Sequence, residues 1–172
     1  MVDILKARIR EIPDFPKKGI LFRDITPLLA DPAALALSIE LMANRYRGQR
    51  VDVVVGAESR GFIFGTAVAC ALSAGFVPVR KKGKLPSKTL HCSYELEYGT
   101  DALYMHSDAI LKGARVVLID DLLATGGTLK ACAQMVEQLG GEIIGLTVLI
   151  ELLGLGGKAK LAPYPVHSVI QY

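Results

Sequence analysis

A chain of 172 residues and 18.5 kDa has the length of one ordinary domain. It can bury roughly two thirds of its unfolded surface without a disulfide or metal to staple it. With 51% hydrophobic and 22% charged residues, it is neither a disordered chain, a collagen-like fibre nor a coiled coil. A net charge of +3, from 20 Lys and Arg against 17 Asp and Glu, is too small an excess to argue for a nucleic-acid partner.

Residues 1–10 alternate apolar and charged side chains and lack the apolar core of a signal peptide. Residues 13–29 are interrupted by Pro13, Pro16 and Pro27, so they cannot form one element and are set apart from the core. Residues 50–56, Arg-Val-Asp-Val-Val-Val-Gly, predict a short buried strand. Residues 62–74 follow as a small-residue helix and 76–80 as a second strand. The uncharged stretch 61–79 is not a membrane span, because Gly61, Gly65, Gly75 and Pro78 break it where helix hands over to strand. The expectation is a soluble, cytoplasmic protein with no membrane partner.

Residues 81–108 form a long polar insertion. Within it 93–99 and 100–106 alternate around Gly99, predicting a flexible hairpin outside the core, of the kind that covers a site. A third strand at 115–120, a helix at about 127–139, a fourth strand at 142–152 and a fifth at 166–171 complete the chain. Strands without alternation, separated by helices, predict an α/β domain with a doubly wound, mainly parallel sheet flanked by helices. Its ligands belong at the carboxyl ends of the strands. No repeat or linker divides residues 1–172. The scattered Cys70, Cys92 and Cys132 suggest neither a disulfide frame nor a zinc knuckle, and His91, His106 and His167 have no metal-ligand spacing.

Residues 116–128, Val-Val-Leu-Ile-Asp-Asp-Leu-Leu-Ala-Thr-Gly-Gly-Thr, carry the most chemistry. A buried strand delivers two adjacent carboxylates, Asp120 and Asp121. Small residues and hydroxyls follow, then a helix. Glycines let backbone N–H groups approach an anion, and a helix N-terminus favours negative charge. Thr125 and Thr128 can add hydroxyl hydrogen bonds. No Gly-Lys-Ser/Thr closes the loop, so it is not a Walker A motif. Phosphate and carboxylates in one segment repel unless something separates them. A ribose 5-phosphate does so, with its phosphate in the loop and its hydroxyls on the acids. The alternative is a plain acidic turn leading into a helix capped by Thr125.

This segment is similar to the phosphoribosyl-pyrophosphate motif of the type I phosphoribosyltransferases. Five further pieces in matching order resemble the adenine-using branch of that family: Phe15-Pro16, residues 19–27, residues 57–62, residues 80–86 and Leu96-Glu97-Tyr98-Gly99. The resemblance spans residues 8–171. It implies a type I phosphoribosyltransferase-like fold with a small N-terminal base-binding hood, about residues 1–30, and a flexible catalytic hairpin, about 81–108. It implies an enzyme of purine salvage that converts adenine and 5-phosphoribosyl 1-pyrophosphate to AMP and pyrophosphate. Magnesium would be carried mainly by the substrate, and a homodimer would complete the site near Arg80.

The resemblance also distributes roles. Ala124, Thr125, Gly126, Gly127 and Thr128 would hold the 5-phosphate, and Asp120 and Asp121 the ribose hydroxyls. Glu58 and Ser59, joined by a cis peptide, would meet the pyrophosphate together with Arg80 and Lys84. Leu21, Phe22, Arg60 and Leu122 would hold adenine, with Phe22 and Leu122 on opposite faces. Glu97 would manage a purine proton while Tyr98 helps cover the site. Tyr104-Met105 is less polar than this pattern leads one to expect, and Cys92 is unusual near the lid. Two rivals stand beside this expectation: a phosphoribosyltransferase for another purine, and a non-catalytic sensor of phosphoribosyl pyrophosphate.

Overall fold

The Val, Ile and Leu runs that lack alternation become the middle of a seven-stranded sheet in the computed structural model, which describes residues 2–95 and 100–172. In chain order the first elements are α1 (Val2–Lys6), β1 (Arg10–Pro13), β2 (Leu21–Asp24), α2 (Thr26–Ala30) and α3 (Pro32–Asn44). Next come β3 (Val53–Ala57), α4 (Arg60–Leu72), β4 (Gly75–Lys81), β5 (Thr89–Glu95), β6 (Thr100–His106) and β7 (Arg115–Leu123). The chain closes with α5 (Gly127–Gln138), β8 (Glu142–Glu151), a 3-10 turn (Leu153–Leu155), α6 (Gly157–Lys160) and β9 (Val166–Gln171).

The large sheet has the order β5-β6-β4-β3-β7-β8-β9. The five strands from β4 to β9 in that order are parallel, as non-alternating buried strands require. Apolar side chains cover both faces. Val54, Val117, Ile119 and Leu149 pack towards α3 and α4, while Val55, Val116, Leu118 and Leu146 pack towards α5. Strand β3 begins later than the sequence suggests because Asp52 is used at its edge. Its carboxylate accepts hydrogen bonds from the Arg115 backbone N–H at 2.8 Å and from Arg50 Nε at 2.9 Å.

The hairpin is not outside the core, which corrects the expectation for residues 81–108. Strand β6 pairs antiparallel with β4, matching Arg80 with Tyr104 and Lys81 with Leu103, and β5 pairs with β6. Alternation marks one buried face, and that face here packs on α5: Leu103 and Met105 are buried in the core. The apolar Tyr104-Met105 pair is thereby explained, since Met105 points inward while Tyr104 stacks on His91 with ring centroids 5.2 Å apart. Cys92 faces α5, its thiol 3.0 Å from Gln134 Oε1.

Residues 13–29 are likewise not wholly separate. Strands β1 and β2 form a two-stranded antiparallel hood, but Ile25 and Leu28 just beyond it are buried in the core. The far end of the chain fastens the hood. Arg23 lies 3.7 Å from the centre of the Tyr172 ring and pairs with Glu11, while the Tyr172 backbone bonds to Glu151 and Leu153.

Candidate active site

Strands β3 and β7 lie side by side, and their carboxyl ends open into a cleft of about 250 Å³. One wall is Glu58, Ser59 and Arg60; the other is residues 120–129. The first wall forms where β3 ends at Ala57 and α4 begins at Arg60, and the Glu58–Ser59 peptide between them is cis. Ser59 occupies the position before α4 without capping it through its side chain; the Phe62 N–H returns to the Ser59 carbonyl at 3.2 Å, which leaves the Arg60 and Gly61 amides at the helix start for a ligand.

The second wall differs from the expectation in one respect and from the alternative in another. Strand β7 does not stop at Asp120 but continues to Leu123, because β8 pairs alongside as far as Glu151. The residue before α5 is Gly126, with φ of 83°, and not Thr125. That left-handed conformation suits glycine, and no side chain caps the helix. The first amides of α5 therefore face a concavity built from Ala124, Thr125, Gly126, Gly127 and Thr128, which is what an anion needs.

Asp120 and Asp121 are both buried between the walls, 8% and 5% exposed. Asp120 Oδ1 accepts the Asp121 N–H at 2.9 Å, and Asp121 Oδ2 meets Arg60 Nε at 2.9 Å. Burial and the neighbouring Asp121 charge push the Asp120 carboxyl well above the usual carboxylate range. Burial raises Asp121 as well, but the Arg60 guanidinium opposes it, so Asp121 is the acid more readily held as an anion. Gly61 makes this packing possible: a Cβ there would stand 2.8 Å from Asp120 Oδ1.

Arg60 also reaches the hood, 5.4 Å from the centre of the Phe22 ring. Phe22 is held edge-on by Phe15 at 5.1 Å, Leu21 is 43% exposed beside it, and Leu122 lines the cleft. Of the candidate base-binding residues, Arg60 thus meets Phe22 of the hood and shares the cleft lining with Leu122. Arg80, at the end of β4, places Nε and Nη2 at 3.3 and 3.2 Å from Glu58 Oε2, and the other Glu58 oxygen accepts the Lys81 N–H. The Glu58 carboxylate therefore faces Arg80, and Lys84 is exposed on the turn that follows. Glu97 and Tyr98 lie outside the described residues.

The contacts that escaped the sequence include two here. Tyr94 on β5 reaches the Thr128 hydroxyl and is 3.4 Å from Asp101 Oδ2, tying the hairpin to the second wall. Gly61 against Asp120 is the other; its only signal was a glycine at the start of a helix. Among the described residues no group of three or more His, Cys, Asp or Glu is arranged to hold a metal. The cleft's acidic donors are the oxygens of Glu58, Asp120 and Asp121, all already in contact with protein groups. That suits a hard cation that brings most of its ligands with a phosphate substrate and water.

The sequence model described as "Phosphoribosyl transferase domain" matches residues 24–166. An adenine phosphoribosyltransferase of Acetivibrio thermocellus is 59% identical over 169 residues, covering 98% of this chain and 99% of the relative. One of Rhodopirellula baltica is 57% identical over 168 residues, covering 98% and 82%. The crystal structure of the adenine phosphoribosyltransferase of Thermoanaerobacter pseudethanolicus superposes with a TM-score of 0.97 at 53% identity, over all of both chains. That of Saccharomyces cerevisiae, complexed with D-2,5-dideoxy-2,5-imino-altritol 1,6-bisphosphate and adenine, gives 0.92 at 38% identity, covering 98% and 97%. No helix among the described residues is long and apolar enough to cross a membrane.

Proposed function

The chain belongs to the phosphoribosyltransferase family, and from that premise we propose that it makes AMP and pyrophosphate from adenine and 5-phosphoribosyl 1-pyrophosphate. One observation carries the proposal: Arg60 joins Asp121 of the acid pair to Phe22 of the hood, so a single side chain addresses ribose and base together.

In this chemistry the bond from the anomeric carbon to pyrophosphate breaks, the purine N9 bonds to that carbon, and the N9 proton leaves. The 5-phosphate sits in the concavity of Ala124, Thr125, Gly126, Gly127 and Thr128, on the first amides of α5. Asp120 and Asp121 accept hydrogen bonds from the ribose hydroxyls, and Asp121 places negative charge near the cationic anomeric centre of the transition state. Pyrophosphate lies against the backbone at Glu58 and Ser59. Arg80 and Lys84 supply positive charge to it as it departs. Because the Glu58 carboxylate holds Arg80, its part is to aim that guanidinium. Magnesium, carried mainly by substrate oxygens, would supply charge neutralisation on the diphosphate. Phe22 and Leu122 sandwich the base, and groups around Leu21 read its exocyclic amine. A site built to hydrogen-bond that amine leaves polar groups unpaired with a 6-oxo purine and so rejects it.

Glu97 takes the purine proton, and Tyr98 helps exclude water. Glu97→Gln is expected to lower kcat by about 10²-fold while the KM for adenine changes far less, measured by steady-state kinetics. The hood needs its anchor too. Tyr172→Ala is expected to raise the KM for adenine about three- to tenfold with little change for phosphoribosyl pyrophosphate, and Tyr172→Phe to restore it, since the ring and not the hydroxyl meets Arg23.

The proposal is tested by offering the protein phosphoribosyl pyrophosphate and magnesium with adenine, hypoxanthine or guanine in parallel. AMP from adenine alone is the expected result. IMP or GMP instead would overturn the base assignment, and no product with substrate still bound would make the protein a sensor. The proposal includes a cytoplasmic homodimer, for which sedimentation would give twice the 18.5 kDa of the chain.

A further inference from the structure

The turn 152–157 forms no part of the cleft lining, yet it supports the second wall from behind. Gly157, buried at the start of α6, faces loop 124–126. A Cβ on Gly157 would fall inside contact distance of the Ala124 carbonyl oxygen, 2.9 Å from Leu123 Cδ1 and 3.0 Å from the Gly126 nitrogen. From the other side, a Cβ on Gly126 would stand 2.7 Å from the Gly157 carbonyl oxygen. Two backbones thus meet with no side chain between them.

We propose that Gly157 is a positioning residue for the phosphoribose substrate: its bare backbone sets how far loop 124–126 sits back, and hence the depth of the phosphate concavity. This rests on the assignment of the 5-phosphate to that loop. The turn is anchored at both ends. The Leu152 N–H donates to the Leu123 carbonyl at 2.9 Å, the Leu153 N–H donates to the Tyr172 carbonyl at 2.9 Å, and Leu161, just past α6, is fully buried in the core. An added methyl therefore pushes the loop forward, into the space a phosphate fills. A displacement of about 1 Å at such a point can cost about 10²-fold in rate. Gly154, in the same turn, has nothing within 4 Å of its would-be Cβ and serves as the control.

The test compares Gly157→Ala, Gly154→Ala and the unaltered protein. It reads the KM for each substrate and the Kd for ribose 5-phosphate by calorimetry. For Gly157→Ala, the KM for phosphoribosyl pyrophosphate and the Kd for ribose 5-phosphate should rise at least about tenfold, with the KM for adenine changing less than about twofold. Gly154→Ala should match the unaltered protein. No change in Gly157→Ala, or an equal rise in both KM values, would overturn the proposal. Failure of the unaltered protein to bind ribose 5-phosphate would overturn the assignment of the loop, and this proposal with it. Should Gly157→Ala not fold, amide NMR of the unaltered protein decides. The Gly157 resonance should move on adding ribose 5-phosphate while that of Gly154 stays, and an unmoved Gly157 would overturn the proposal.

Discussion

Arg60→Ala is expected to lower kcat/KM for adenine by about 10²- to 10³-fold, the loss that follows when the half-exposed cation of a charge pair with a buried carboxylate is removed. Three interactions vanish together. The first is the 2.9 Å contact to Asp121, the second the approach to the Phe22 ring, and the third any bond to the base itself. Asp121, 5% exposed, would be left without its cation, so burial would push its carboxyl further up and weaken its charge beside the ribose. The KM for both substrates should rise, because Arg60 touches elements serving each. Arg60→Lys keeps the charge but loses the planar fork that reaches acid and ring at once, and is expected to recover less than a tenth of the lost activity. Unchanged kinetics in Arg60→Ala would show that hood and acid pair work independently.

Asp120→Asn is expected to be more stable than the natural chain at neutral pH and about 10²-fold less active, since an amide pairs more weakly with ribose hydroxyls than a carboxylate does. Folding lifts the Asp120 pKa above the ordinary 3.8 through burial and the Asp121 charge. The unfolded chain thus loses this proton at lower pH than the folded one. The group costs nothing below pH 3.8, and its cost grows as pH rises from there towards the folded value. Asparagine avoids that cost and keeps the acceptor for the Asp121 N–H. The Tm advantage should be about 2–4 °C for each kcal/mol relieved at pH 7, and should shrink to nothing as pH falls below 3.8. Calorimetric melts across pH check this; an equal or lower Tm at pH 7 would contradict it. Strain between a site's function and its stability is what two adjacent buried acids produce.

What the sequence revealed and what it hid follow from the range of the interactions. The parallel strands were legible because burial on both faces demands unbroken Val, Ile and Leu, as in β3 and β7. The concavity at 124–128 was legible because glycines, hydroxyls and a helix start are contiguous in the chain. The place of the hairpin was not, since alternation is the same for a free hairpin and for one whose inner face packs on a helix, as Leu103 and Met105 do on α5. That Gly126 and not Thr125 precedes α5 turned on backbone conformation, which residue type alone does not reveal. Arg60 with Asp121, Arg23 with Tyr172 and Gly157 with Ala124 join distant positions, and no local pattern records such pairs. The proposed base-binding roles of Leu21 and Phe22 rest on family resemblance alone, because an exposed leucine and a phenylalanine carry no chemistry of their own.

The most direct measurement is a crystal structure of the protein with AMP. The expected density places the 5-phosphate in the concavity of Ala124 to Thr128, the ribose hydroxyls on Asp120 and Asp121, and the base between Phe22 and Leu122 beside Arg60. Phosphate density against Ser59 and Arg80 instead, with the base away from the hood, would contradict the division of the cleft between its two walls.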